Sequence, residues 1–275
     1  MTGRSQPGDN IRASSLSIPT HAIGIADLLT PAQVRVFSDC EMRWFYEHVL
    51  GVPDPPTANQ ALDRAIRTAL LTNFRQKVES KEDLETEAVV GLFRSAWQKP
   101  QQAAVFSDDE DPQVMGRTGD ALVRVYMNAV ASQIRPAAVE QRTMRGVIAS
   151  VRIQAEFDVR DEDGTIIAIR TAPNAANRID PMHRFELTTC CRLACEASGV
   201  VRSDTLVHCK APQCVSQVWE TNESDIQLTD TLYPIAQAAM RRGHYLPNRN
   251  SMLCSRHQCP HWRRCEQDFG GAVEA

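Results

Sequence analysis

Three cysteines fall within the twelve residues Cys254-Ser-Arg-His-Gln-Cys259-Pro-His-Trp-Arg-Arg-Cys265 near the C-terminus, and no other feature constrains this chain so tightly. Cysteines a few loop residues apart can aim their sulfurs at one centre, and a third after a short spacer completes a three-sulfur claw. Zinc and iron–sulfur clusters usually take four protein ligands, so the claw predicts a fourth ligand elsewhere. Cys40 is the best candidate. It lies in the first turn of a helix predicted from Ser38 to Gly51, opened by a capping box of Ser38 and Glu41 and closed by the glycine. His257 and His261 lie inside the claw, so zinc with mixed nitrogen and sulfur ligands stays open beside iron–sulfur.

The rest of the composition sets broad bounds. With 275 residues the chain makes one large domain or two small ones, and 43% apolar residues are enough for a sizeable core. A net charge of −4 gives no global sign of nucleic-acid binding. The charge is uneven, however. Arg241, Arg242, Arg249, Arg256, Arg263 and Arg264 fall in one stretch without an acidic residue, which points to phosphate contact beside the cysteine claw. Nine cysteines, no apolar signal-peptide core and no membrane-length apolar run predict a cytoplasmic, reducing setting in which thiols are free or bind metal.

In chain order, residues 1–20 read as a polar mobile tail and 21–275 as a single domain: helical over 36–135, a sheet core over 138–222, then a helix and the cysteine loop over 224–268. Helices are predicted near 59–79, 82–98, 113–134 and 181–198, and from Ser224, as N-cap, to Arg242. Strands are predicted over 139–144, 147–160, 165–171, 204–209 and 214–220, with Asp161-Glu162-Asp163-Gly164 as a hairpin turn. Trp44, Phe45 and Tyr46 read as core residues. Cys190, Cys191 and Cys195 read as small apolar residues on a buried helix, and Cys209 and Cys214 as thiols at strand ends.

The landmarks Ser38-Asp-Cys40-Glu-Met-Arg-Trp-Phe-Tyr46, Gln154-Ala-Glu-Phe-Asp158, Asp163-Gly-Thr-Ile-Ile-Ala168-Ile-Arg170-Thr171 and Gly243-His-Tyr-Leu-Pro-Asn248 with the three cysteines occur in a telling order. Together they resemble the iron–sulfur, RecB-like branch of the PD-(D/E)XK nuclease superfamily, which includes the AddB nuclease domain and the exonucleases of CRISPR adaptation. The resemblance implies an α/β fold: a central mixed sheet of about five strands flanked by helices, a restriction-endonuclease-like core, and a C-terminal clip. It also implies a [4Fe–4S] cluster on Cys40, Cys254, Cys259 and Cys265, with zinc as the rival. In familiar members two residues separate the first C-terminal pair, whereas here there are four. Such a clip closes a loop of more than two hundred residues and removes much unfolded-state entropy.

Catalysis in this family needs an Asp at the end of one strand, an Asp or Glu on the next, and a Lys two residues further on, holding Mg²⁺ or Mn²⁺ that activates water. Here the first acid is Asp158, the second is Ala168 and the lysine is Arg170. The upstream helical histidine is Arg67, the helical Gln and Tyr are Leu187 and Cys191, and the glycine before Asp158 is Ala155. Alanine offers no oxygen, and arginine stays protonated and cannot act as a base. The resemblance thus implies a pseudoenzyme that binds DNA as a subunit or scaffold of a DNA-processing or defence complex, with protein partners and no membrane. Two rivals stand beside it: a Mg²⁺- or Mn²⁺-dependent DNA exonuclease or endonuclease whose relocated acids are Asp158 with Glu140 or Glu156, and a protein–protein adaptor without DNA binding. In a regular strand Glu156 would share a face with Asp158.

Overall fold

The computed structural model describes residues 26–271, except 53–54, 109, 140–143, 175–177, 196–198, 209–210 and 257. The proposed tail over 1–20, Glu140, Cys209 and His257 lie outside the described residues.

Two short helices, α1 (Pro31–Asp39) and α2 (Glu41–Trp44), open the fold. Thr30 and Gln33 form the capping box of α1, with Pro31 in its first turn. Ser38 therefore lies inside α1 rather than capping the next helix. Cys40, in extended backbone, is the N-cap of α2, which runs on as a π-helical turn, Phe45–Val49. The sequence expectation failed here because Ser38 and Thr30 both carry a cap-compatible side chain, and Pro31 pre-sets the earlier start.

Three longer helices follow: α3 (Ala58–Ser80), α4 (Thr86–Ala103) and α5 (Pro112–Ala129). On α3, Ala61, Leu62, Ala65, Ile66, Ala69, Leu70 and Phe74 recur every three or four residues and are all buried. They join α4, α5 and the strand residues Val159, Ile167, Ile169 and Leu206 in one core.

The chain then changes to strands: β1 (Pro136–Val139), β2 (Met144–Ile148), β3 (Val151–Ala155), β4 (Val159–Asp161) and β5 (Ile166–Ala172). Helix α6 (Pro181–Cys195) leads to β6 (Val200–Val207) and β7 (Gln213–Glu220). The main sheet has the order β1-β4-β5-β6-β7. Only β5 and β6 are parallel, so the five-stranded sheet is mixed. Helices α3–α5 cover one face, and α6 packs on the other through Leu187, Cys190 and Cys191 against Ile166 and Val201.

The long strand expected over 147–160 is the end of β2, all of β3 and the start of β4, which lie in two different sheets. β2 and β3 form a separate hairpin turned by Ala149 and Ser150, both at positive φ (46° and 67°). Two-residue hairpin turns need left-handed backbone and usually advertise it with Gly, Asn or Asp. Ala-Ser gives no such signal, so the alternation of apolar residues ran through the turn unbroken.

Helix α7 (Glu223–Arg242) is capped by Asn222 and Asp225, one residue pair away from the expected Ser224. The last helix, α8 (Trp262–Phe269), carries Cys265 inward. The C-terminal segment returns to α1 and α2. Tyr245 stacks on Phe45 at 5.0 Å and meets Trp44 at 5.5 Å. The Leu246 amide donates to Glu41, and the Asn248 side chain donates to the Asp39 carbonyl at 2.9 Å.

Gly119 on α5 shows how closely the helical layer packs, because a Cβ there would run into the ring of the fully buried Phe93. Gly119→Ala should therefore lower stability by about 1–3 kcal/mol through overpacking, despite alanine's higher helix propensity. Thermal denaturation checks this, and an unchanged or raised Tm would contradict it.

Candidate functional site

Two places gather chemistry. The first is the cleft at the end of β4 and β5. Helix α3 lies across the sheet so that Asp63 and Arg67, one turn apart, reach the strands. Asp63 Oδ1 accepts from the Thr171 amide at 2.6 Å and the Thr171 hydroxyl at 3.1 Å. Burial pushes the Asp63 carboxyl up, and the Thr171 amide and the Arg67 charge pull it back. Asp158 is 4% exposed. Its Oδ1 accepts from Arg67 Nε at 3.1 Å and from Nη2, and its Oδ2 accepts from the Ile169 amide at 2.7 Å. Both oxygens of the one acid kept from the expected set are thus engaged.

The substitutions meet at this cleft. Ala168, Arg170 and Leu187 line it together with Arg67 and Asp158, and Cys191 is buried in the core beneath α6. Glu156, itself exposed, also lines the cleft, but it stands on an irregular stretch between β3 and β4. The regular strand that would have put it beside Asp158 is not there. Sequence reasoning missed Asp63, His183 and Glu186, which line the same cleft. Asp63 sits four residues before Arg67, and that spacing places both on one helical face. His183 and Glu186 precede Leu187 on α6.

A divalent metal at Asp158 would meet Arg67. At about 4 Å, with an effective dielectric of about 20, a fixed guanidinium repels a doubly charged ion by roughly 8 kcal/mol. The metal must bear that or displace Arg67 and break its pair with a buried carboxylate.

The second place is the cavity where the C-terminal cysteine segment meets α1 and α2. Cys40, Cys254, Cys259 and Cys265, from residues more than two hundred apart, line one cavity walled by Met42, Tyr46 and Trp262. Burial pushes the Cys265 thiol up to about 11; Arg249 opposes this, and Cys40, Cys254 and Cys259 add to it. Burial likewise raises Cys259, with Cys40 and Cys254 reinforcing the shift against Arg43 and the His261 amide. The four sulfurs therefore lie within electrostatic range of one another. The Asn248 amide also donates to Cys40 Sγ at 3.4 Å.

Among the described residues, no three His, Cys, Asp or Glu side chains are placed to hold one metal ion. Tetrahedral zinc thiolates, with Zn–S near 2.3 Å, would sit about 3.8 Å apart. A cubane carries one cysteine on each iron and spreads its ligands further. Four cysteine thiols around one walled cavity are a donor set that suits either zinc or an iron–sulfur cluster. The buried His261 places Nε2 at 3.5 Å from Glu47 Oε1, an ion-pair distance.

The arginine stretch divides. Arg241 pairs with Asp27 at 2.5 Å, Arg264 pairs with Asp268 at 2.8 Å, and Arg249 donates to the Gly270 carbonyl at 2.7 Å. Arg256 and Arg263 stack on Trp262 at 4.6 and 5.3 Å, and Arg242 is exposed. Folding thus brings in acids that the linear stretch lacks.

The family model of the PD-(D/E)XK nuclease superfamily matches residues 28–266, and the protein belongs to that superfamily. A solved structure from Eubacterium rectale, described as a "putative exonuclease", is similar to 98% of this chain over 100% of its own, with a TM-score of 0.52 and 9% identity. At that identity the likeness concerns the fold. A second solved structure, of a protein called SSO0001, covers 71% of this chain and 83% of its own at 14% identity and a TM-score of 0.26. No curated protein matches the chain.

If Arg67 fills the metal's place, removing it reopens a cation site. Arg67→Ala should cost about 2 kcal/mol, below the figure for a fully buried pair because Arg67 is 37% exposed. Millimolar Mn²⁺ should then raise the Tm of the variant and leave the parent unchanged. An equal Mn²⁺ response in both proteins, read by differential scanning fluorimetry, would contradict this.

Proposed function

We propose that this is a RecB-like, DNA-binding member of the PD-(D/E)XK superfamily that has lost hydrolysis and serves as a subunit or scaffold in a DNA-processing or defence assembly. One observation carries the reading: the Arg67 guanidinium occupies Asp158, with Ala168 and Arg170 alongside in place of the second acid and the lysine. One charged residue has replaced another at the metal's position, and the neighbouring changes remove the oxygen donor and the proton-transfer group that a metal-dependent reaction needs. Arginine at both positions keeps positive charge where a phosphate would lie, which favours binding over cleavage.

Cys40, Cys254, Cys259 and Cys265 are proposed to hold a [4Fe–4S] cluster, with zinc as the rival. Such a group supplies structural closure here. The residues around it do the positioning: Tyr245 docks on Phe45 and Trp44, and Asp268 accepts from Tyr46 at 2.9 Å. These contacts fix α8 and the exposed Arg256 and Arg263 beside Trp262, and with Arg242 they form the proposed nucleic-acid surface. We place the protein in the cytoplasm, where its thiols stay reduced. Among the described residues no helix is long and apolar enough to cross a membrane.

A Mg²⁺- or Mn²⁺-dependent nuclease with relocated acids is the second reading, favoured by the four carboxylates of Asp63, Glu156, Asp158 and Glu186 around one cleft. The two readings separate in a cleavage assay on labelled single- and double-stranded DNA with either metal, with Asp158→Ala run alongside. No cleavage with retained, salt-sensitive DNA binding is expected. Cleavage that vanishes in Asp158→Ala would establish the second reading. For the clip, Cys254→Ser should abolish the brown colour of anaerobically purified protein and most of its solubility. A colourless parent carrying one zinc per chain would sink the iron–sulfur assignment.

A further inference from the structure

On the α6 side of the sheet, the face of β5 that carries Ala168 and Arg170 continues into β6. Register pairs Ala168 with Ser203 and Arg170 with Thr205, and Gln217 of β7 lies opposite Ser203. Beyond the Asp158 cleft these residues enclose a second, smaller pocket of about 50 Å³, lined by Arg170, Arg178, His183, Ser203, Thr205 and Gln217, with Asp180 at its wall. Its space is several times that of one water, enough for a tetrahedral oxyanion. Arg170 and His183 line both this pocket and the Asp158 cleft, so the two are neighbours.

The chemistry of the pocket is that of a donor-rich anion site. Among the described residues no carboxylate pairs with Arg170 or Arg178, although Arg170 is half-buried. A half-buried guanidinium without a counter-ion is costly unless an anion joins it. The one acid in the wall is already engaged: Asp180 Oδ1 accepts from the His183 amide at 2.8 Å, and Oδ2 lies 3.9 Å from Arg35. The floor is rigid and polar. His183, 8% exposed, shares a 2.9 Å hydrogen bond with Ser203, 1% exposed, and its other ring nitrogen lies 3.5 Å from Glu186. Arg67, by contrast, is spent on Asp158.

We propose that this pocket holds a phosphate group without metal, clamped by the forked guanidinium of Arg170 with Arg178 and the Thr205 hydroxyl. The inference rests on the reading of the Asp158 cleft as closed to metal, and it deepens that reading by moving phosphate capture off the remnant acid and onto β5 and β6. Guanidinium forks bind phosphate oxygens bidentately where an ammonium offers a point charge. Arginine at position 170 is then a gain of binding as well as a loss of catalysis.

The test is fluorescence anisotropy in EDTA with full-length, anaerobically purified protein. The probes are a labelled single-stranded oligonucleotide with a 5′-phosphate, the same strand without it, and inorganic phosphate as competitor. Arg170→Ala should weaken the phosphorylated strand by about tenfold or more, with Arg170→Lys recovering part of the loss and circular dichroism unchanged. Preference for the 5′-phosphorylated strand assigns the phosphate to a nucleic-acid end. Equal strands with displacement by inorganic phosphate assign it to the backbone or a free anion. Unchanged affinity in Arg170→Ala, or no binding of any probe by the parent, overturns the pocket. DNA binding without cleavage would in the first case leave the proposed function standing. Cleavage by the parent in Mg²⁺ would overturn the proposed function, while the EDTA arm still decides the pocket.

Discussion

Everything distinctive in this molecule depends on the docking of the C-terminal segment from Tyr245 to Cys265 onto α1 and α2. Tyr245 sits among Phe37, Trp44 and Phe45, the Leu246 and Asn248 amides and the Asn248 side chain donate to Glu41, Cys40 and Asp39, and Cys265 is buried in the same core as Trp44 and Tyr46. Closing so long a loop costs entropy that grows only slowly with length, and a dense aromatic cluster is well suited to offset it. The proposed cluster on the four cysteines would act on an interface that already exists, by holding α8 to its partner helices.

The sheet and its acid site sit at the other end of the argument. Asp158 is buried because β4 begins immediately after it and α3 crosses above it. A buried carboxylate needs a cation or a full set of donors. In a metal-dependent nuclease the ion meets that need. Here Arg67 and the Ile169 amide meet it. On the proposed reading, the substitutions form one exchange, with Arg67 over Asp158, Ala168 leaving room, and Arg170 lining the neighbouring pocket as well as the cleft.

Much of this was legible before the fold. The claw and Cys40, put together in the sequence as candidate ligands, line one cavity, and the Asp161–Gly164 turn joins the antiparallel β4 and β5 as expected. The register from Asp158 to Arg170 picked out residues that line one cleft. What stayed hidden was set by tertiary contact. Ala149-Ser150 adopts left-handed backbone without a turn residue to signal it, so the end of β2 was joined to β3; the irregular break at 156–158 between β3 and β4 was likewise unmarked, and Glu156 was put on a strand. Asp27 and Asp268 neutralise Arg241 and Arg264 from outside the arginine stretch, which no reading of that stretch alone can reveal. Asp63, His183 and Glu186 entered the cleft through helix packing, with Asp63 foreshadowed only by its spacing from Arg67.

The central claim is that Arg67 has taken the metal's place at Asp158. Anomalous diffraction from crystals of anaerobically purified protein grown with Mn²⁺ tests it most directly. The account predicts no manganese peak at Asp158 and the Arg67 guanidinium in place on its carboxylate. A manganese ion bound to Asp158, with Arg67 swung away and Asp63, Glu156 or Glu186 completing its ligands, would contradict it.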